Sequence, residues 1–477
     1  RMTSYFILPH DKNPDLKWVT EYFQNIIKPV FVSLLESDEA LYTTAQLFMN
    51  VLLEYINEYG TNKSATTIKG YLLICTYTSC LLAIELLNLN LSVHKRAILL
   101  DILVRYLKLR ASLIKSSEES GVLDAAIEVE KSTFTLMHGT VGRAIFISFY
   151  SHDPKVQKFI ISANSEYAKL SESYEKHCKP DEEPNCVLSQ TILKDTAFST
   201  SGATAFQRRI RNAILQLREQ PEPIIVDCVE KLFRKWYHFT KADKKKTRKQ
   251  LWEFRNIAGI LSAISGIFLR TENGSGPSAV MPGDPDSAYI NYNEVVATLR
   301  NDFSYFISKQ CEWLNNPDLL TRENARDIIS LELHPFSLNV LFNHLRNHIN
   351  QIMNIDLCRP ENEMSFVLLE QIIIIIRTIL RREDIGDIML VYSTNIIDVI
   401  DRLIVVVKAM PRDAAKYYKS IIHMSKMFKA IQTSEGVLAI KHHYCLKNKW
   451  LKLVISWFRT SIPVSYTHLR AHETRSN

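Results

Sequence analysis

From about residue 40 onward the apolar residues recur at intervals of three and four, the period of an amphipathic helix. In SLNVLFNHLRNHINQIM, positions Leu338, Leu341, Phe342, Leu345, Ile349, Ile352 and Met353 form one stripe, and NIIDVIDRLIVVVK repeats it through Ile396, Ile397, Ile400, Leu403, Ile404 and Val407. The β-branched run QIIIIIRTIL could be a buried strand in isolation. The phase of Phe366, Leu369, Ile373, Ile376 and Leu380 predicts a helix instead. No period-two alternation bounded by turn residues stands out, so the chain reads as helices of roughly 12 to 25 residues joined by short breaks.

That succession predicts an all-α protein, an irregular α-solenoid of the HEAT or armadillo kind. Because no sequence repeat is visible, a compact pair of multi-helix domains is the alternative. The stretch TENGSGPSAVMPGDPDSA, residues 271–288, holds three Gly and three Pro and reads as a flexible loop. It separates an N-terminal part of the arm, residues 1–270, from a C-terminal part, 289–462. A shorter polar break, EKHCKPDEEPNC at 175–186, reads as a surface loop. Within LWEFRNIAGILSAISGIFLR, residues 251–270, an uncharged run from Ile257 to Leu269 is too short for a spanning helix, which needs about 18 apolar residues or more. The reading is a buried helix whose small residues, Ala258, Gly259, Ser262, Ala263, Ser265 and Gly266, admit a close neighbour while Leu261, Ile264 and Phe268 fill the core. No transmembrane segment is expected.

Composition supports helix over sheet: 13 glycines in 477 residues compares with a usual share of about 7%. The 46% hydrophobic content is enough for a large core. Eight scattered cysteines, with no signal-peptide layout, suit reduced thiols in the cytosol.

The net charge of +7 is local. Residues 231–249 carry nine Lys or Arg and one Asp, which leaves the rest near neutrality. Lys231, Arg234, Lys235, Lys241, Lys244, Lys245, Lys246, Arg248 and Lys249 thus form a candidate patch for an anionic partner, with Phe233, Trp236, Tyr237 and Phe239 among them. The plainer reading is an amphipathic helix with buried aromatics whose charged end runs into the next helix. Weak contact with an anionic membrane surface is expected, and no specific nucleic acid.

Other candidate chemistry is thin. His344 and His348 in HLRNH lie four apart on one helical face, as a metal pair would, but lack the adjoining glutamate and a third ligand at useful spacing. A helical metal hydrolase built on them is a remote reading. His177, Cys178 and Cys186 match no zinc spacing. No Walker loop, Rossmann fingerprint, nucleophile elbow or paired-carboxylate motif is present. No catalytic residue, metal site or cofactor is assigned.

Trp252, Glu253, Phe254, Asn256, Gly259, Leu261 and Gly266 resemble the helix that precedes the catalytic domain in the neurofibromin and fungal Ira-type family of Ras GTPase-activating proteins. The order that follows is similar too: a loop, a helical segment, DIISLELHPFSLNVLFNHLRNHI at 327–349, and LKNKWLKLVISWF at 446–458. KSTFTLMHGTVGRAIF at 131–146 resembles fungal members. The resemblance implies a negative regulator of Ras signalling, cytoplasmic and peripheral at the inner membrane surface, whose Ras-family partner is met through a catalytic domain lying beyond this chain. An arginine finger in that domain would stabilise charge on the transferred phosphoryl group. Phe268, Leu269 and Arg270 match the family's Phe-Leu-Arg triplet in letters, but run into TENGSG rather than an Asn-Pro-Ala segment, so Arg270 carries no catalytic role. The segment itself is expected to be a scaffold without enzymatic activity, with self-association through the arm. A generic solenoid adaptor in trafficking or transport is the rival function. VSYTHLRAHET, at 464–474, resembles a translated sequencing adapter, so 463–477 is expected not to be native.

Overall fold

The computed structural model describes residues 17–35, 39–60, 65–119, 138–175, 202–216, 223–241, 247–269, 285–354, 363–385, 392–410, 415–433, 444–445 and 447–457. Every regular element among them is helical. Helices begin before residue 40: α1 (Lys17–Tyr22), a π-helical stretch (Phe23–Ile27) and α2 (Lys28–Leu35) run on from one another and bury Val19, Phe23, Ile27, Phe31 and Leu34. Those five positions keep the three-to-four spacing, which only a polar N-terminal flank obscures.

The chain forms two compact units, residues 1–217 with 222–257, and 218–221 with 258–477. In the first, α3 (Glu39–Gly60), α4 (Ala65–Leu86), α5 (Val93–Glu119), α6 (138–148), α7 (Pro154–Glu175), α8 (Ala203–Leu215) and α9 (Pro223–Lys241) follow α2. α5 is central, packed on α3, α4 and α7. Within α4, Ile68–Leu86 is long and apolar enough to pass as a membrane span by length and composition, although no such segment is expected from the sequence; 83% of it is buried within the protein, as in a core helix. The turn from α4 to α5 is held by Arg96, itself buried, whose guanidinium donates to Leu86 O at 3.1 Å, Asn88 O at 2.8 Å and Ser148 Oγ at 3.3 Å.

α10 (Arg248–Leu269) contributes its first half to this unit and its second half to the other. The second unit continues through α11 (Pro285–Trp313), α12 (Leu319–Asp327), a π-helical stretch (Ile328–Glu332), a 3-10 turn (Pro335–Ser337), α13 (Leu338–Met353), α14 (Glu363–Ile379), α15 (Ser393–Ala409), α16 (Ala415–Thr433) and α17 (447–457). Alternate helices stack: α11 on α13 on α15 in one row, and the α12–π segment on α14 on α16 in the other. Two parallel rows built from sequence neighbours make an α-solenoid, because each helix buries its stripe against the next but one.

α14 is a helix through its isoleucine run, and Phe366, Leu369, Ile373, Ile376 and Leu380 are all buried. The stripes on α13 and α15 hold with two exceptions: Met353 at the end of α13 is exposed, and Ile397 is only half-buried. The Gly/Pro loop is shorter than its composition suggests, since α11 starts at Pro285, where a proline is compatible with a first helical turn. Residues 271–284 lie outside the described residues.

Candidate interaction surface

The buried-helix reading of residues 257–269 is met in full, since all thirteen are buried. They meet a helix, as the small residues suggested, where Phe268 packs on Phe303 of α11 at 5.0 Å between ring centroids and its carbonyl accepts from Arg300 Nε at 3.0 Å, and they also meet the irregular 328–337 segment. Ser262 Oγ donates to Ile328 O at 3.1 Å, and Ser262 O accepts from His334 N at 3.1 Å. Ser265 Oγ lies 2.7 Å from Ser337 Oγ. A Cβ added at Gly266 would sit 1.8 Å from His334 Nδ1, so only glycine allows this approach. At the start of the π-helical stretch Ser262 supplies a donor to the Ile328 carbonyl, while Ser265 donates to Ser262 O within α10 and shares a hydroxyl–hydroxyl bond with Ser337 of the 3-10 turn. The two motifs that carry the family resemblance, 252–266 and 327–349, thus meet here. In the first unit, Asn256 Nδ2 donates to Tyr150 O at 3.0 Å and Trp252 stacks on His152 at 4.9 Å between ring centroids. These residues hold helices together and present no reactive group.

The basic stretch divides once its side chains are placed. On α9, Phe233 and Trp236 are buried, as the amphipathic reading requires, with Tyr237 and Phe239 half-buried. Lys231 Nζ is 2.6 and 2.5 Å from the Asp227 carboxylate oxygens, and Arg234 pairs with Glu230. Both put the acid four residues N-terminal to the base, the favourable order on a helix. Lys249 Nζ stands 4.0 Å from Asp153 Oδ2. Lys241 and Arg248 are exposed, and Lys244, Lys245 and Lys246 lie outside the described residues. Three of the six described cations are therefore partly neutralised within the chain.

Lys235 is different. Its ammonium donates to Leu89 O at 2.7 Å and to Tyr150 Oη at 2.9 Å, and lies 4.3 Å from the Tyr150 ring centroid. It faces a groove of about 860 Å³ bounded by the α4–α5 turn, α9 and the first turn of α10. The sequence marked Lys235 as one cation among nine. Its separation from the others comes from residues 89 and 150, far away in the chain.

His344 and His348 share one face of α13 as read. Burial depresses both pKa values; the neighbouring His348 adds to the effect at His344, and a hydrogen bond that His348 donates to Gln351 opposes it at His348. Among the described residues no three His, Cys, Asp or Glu side chains come together as a metal site. His177, Cys178 and Cys186 fall outside the described residues. Cys75, Cys80, Cys228 and Cys311 are buried and form no disulfide; burial raises Cys80 to about 11 and Cys228 and Cys311 higher.

Comparison with known proteins bears out the resemblance. The chain is 42% identical over 469 residues, 98% of its length, to "Inhibitory regulator protein IRA2" of Saccharomyces cerevisiae, and 40% identical over 480 residues to "Inhibitory regulator protein IRA1" of the same organism. It spans 15% of the length of each relative. No family model matches. A solved "Circular tandem repeat protein with novel repeat topology and enhanced subunit contact surfaces" aligns over 96% of this chain and 99% of its own at 10% identity, with a TM-score of 0.21. That score carries no weight for the fold, which rests on the helix order above.

Proposed function

We propose that this chain is a scaffold segment of an Ira-type Ras GTPase-activating protein, a negative regulator of Ras signalling, and that its own role is architectural. The observation that carries the reading is the 42% identity maintained over 98% of the chain. Identity at that level favours a shared role over that of an unrelated trafficking adaptor. The structure supports an architectural role, because the motifs behind the resemblance are spent on packing: Ser262, Ser265 and Gly266 on residues 328–337, and Asn256 on Tyr150.

The outer face of α3 supports a place within a longer helical array. Leu41, Phe48, Val51 and Tyr55 are exposed at helical spacing, whereas terminal repeats of a solenoid carry polar caps. In this reading the family's Ras-family partner is met by a catalytic domain elsewhere in the polypeptide, and this segment presents that domain. Self-association through the arm and weak contact with an anionic membrane face belong to the same proposal, which places the protein in the cytoplasm, peripheral at the inner membrane surface. Extending the coding sequence beyond residue 462 tests it. An arginine-finger loop followed by a Phe-Leu-Arg signature is expected; a continuation without either overturns the assignment.

A further inference from the structure

The groove beside α9 has features that a scaffold does not need. We propose that it is a recognition site for a peptide segment of a partner protein, one carrying a single Asp or Glu among apolar residues, with the acid seated on Lys235.

The charge pattern selects the ligand. Every contact of the Lys235 ammonium among the described residues is neutral: a carbonyl, a phenol and two ring faces. Its neighbours Lys231, Arg234 and Lys249 already have carboxylate partners in Asp227, Glu230 and Asp153, and Glu253 adds another carboxylate to the wall. A polyphosphate or a polyacidic tract would meet Glu253 in the wall and cations whose charge Asp227, Glu230 and Asp153 already offset, whereas a single carboxylate meets one uncompensated ammonium. The first turns of α5 and α10, at Ser92–Val93 and Thr247, border the same groove. Helix N-termini favour a negative charge there.

Shape and rigidity fit a peptide. Leu87, Leu89, Leu91, Val93 and Phe239 give the walls an apolar character between the cations. A volume of about 860 Å³ lies at the upper end of ligand sites. The wall at Leu89 is fixed before any ligand arrives, because Arg96 holds the carbonyls of Leu86 and Asn88 and Lys235 holds that of Leu89. A preorganised wall avoids an ordering cost on binding.

This inference does not depend on the Ras assignment. The test is a phage-displayed random heptapeptide library panned on the purified chain, with the Lys235→Met chain as counter-selection, and selected peptides measured by fluorescence polarisation. The expected hits hold one acid flanked by apolar residues. Their affinity falls about tenfold or more when the acid becomes its amide, and similarly in Lys235→Met, as for loss of a charge-assisted hydrogen bond. His238→Glu guards against a folding defect in Lys235→Met. His238 lines the groove, is exposed and lies one turn from Lys235, so the new carboxylate competes for the ammonium and weakens binding without removing a packed group. Failure of enrichment over the counter-selection, or hits bound equally by all three chains, overturns the proposal. So do polyacidic hits, and so does binding of inorganic phosphate or phosphatidylserine vesicles that His238→Glu abolishes.

Discussion

Replacing Gly266 by Ala should destabilise the second unit, although the substitution favours an isolated helix by about 1 kcal/mol. The added Cβ would stand 1.8 Å from His334 Nδ1, 2.2 Å from Cγ and 2.6 Å from Cε1. That ring cannot swing aside cheaply. His334 is fully buried, its backbone N–H donates to Ser262 O, its Nδ1 accepts from Phe336 N at 3.2 Å, and it stacks on Phe336. Overpacking of this kind costs about 1–3 kcal/mol, and losing the Nδ1 hydrogen bond adds about 1 kcal/mol. After the gain in helix propensity, the expected net loss is about 1–3 kcal/mol. Urea unfolding followed by circular dichroism reads it as a lower midpoint with an unchanged slope. The double variant Gly266→Ala, His334→Ala isolates the cause, because removing the ring removes the clash; its loss should be smaller than the two single losses added together by about 1 kcal/mol or more. An alanine variant as stable as the wild type, or strictly additive losses, would refute the close-approach argument.

Arg96→Met strands the carbonyls of Leu86 and Asn88 in the α4–α5 turn, and should cost about 2–4 kcal/mol by chemical denaturation, with faster amide exchange in residues 87–92. His138 is buried, with Nε2 2.7 Å from Ser171 Oγ; burial first, and Arg110 second, hold its pKa well below 6.5. The unfolded chain therefore takes up a proton as pH falls through about 6.5 that the folded chain refuses, so stability is complete above that pH and declines below it. Between pH 6.5 and 5.5 the wild type should lose up to about 1.4 kcal/mol more than His138→Phe in urea titrations, and parallel pH profiles would contradict this. Binding to anionic vesicles, read by cosedimentation, should be weak and suppressed by salt. It should fall when Lys244, Lys245, Lys246, Arg248 and Lys249 are neutralised, and unchanged binding would remove the patch from consideration.

The helical class and most of the core were legible because they depend on local period: the buried faces of α13, α14 and α15 follow the spacing of Leu, Ile and Phe. Local pattern also gave the small-residue face of α10. What it could not give was the irregular one of its two partners, because residues 328–337 abandon the α-helical period where they meet that face. A hint was present in HPF at 334–336, a proline-bearing break inside an apolar stretch. The nine-cation patch illustrates the same limit. Sequence spacing predicts i,i+4 pairs such as Lys231 with Asp227, but not Lys235 against Leu89 and Tyr150, or Lys249 beside Asp153. Long-range placement, rather than composition, separates a cation with an internal counter-ion from one facing a groove. α1 and α2 were missed for a simpler reason: their stripe is short and lies beside a charged flank.

The central claim is that this chain is the scaffold of a Ras regulator and not its catalytic part. Single-turnover hydrolysis of GTP bound to purified Ras, with increasing amounts of the chain, tests it most directly. A working arginine finger accelerates this step by about 10³–10⁵-fold. The account predicts a rate equal to that of Ras alone at every concentration; acceleration that rises with the amount of chain and saturates would contradict it.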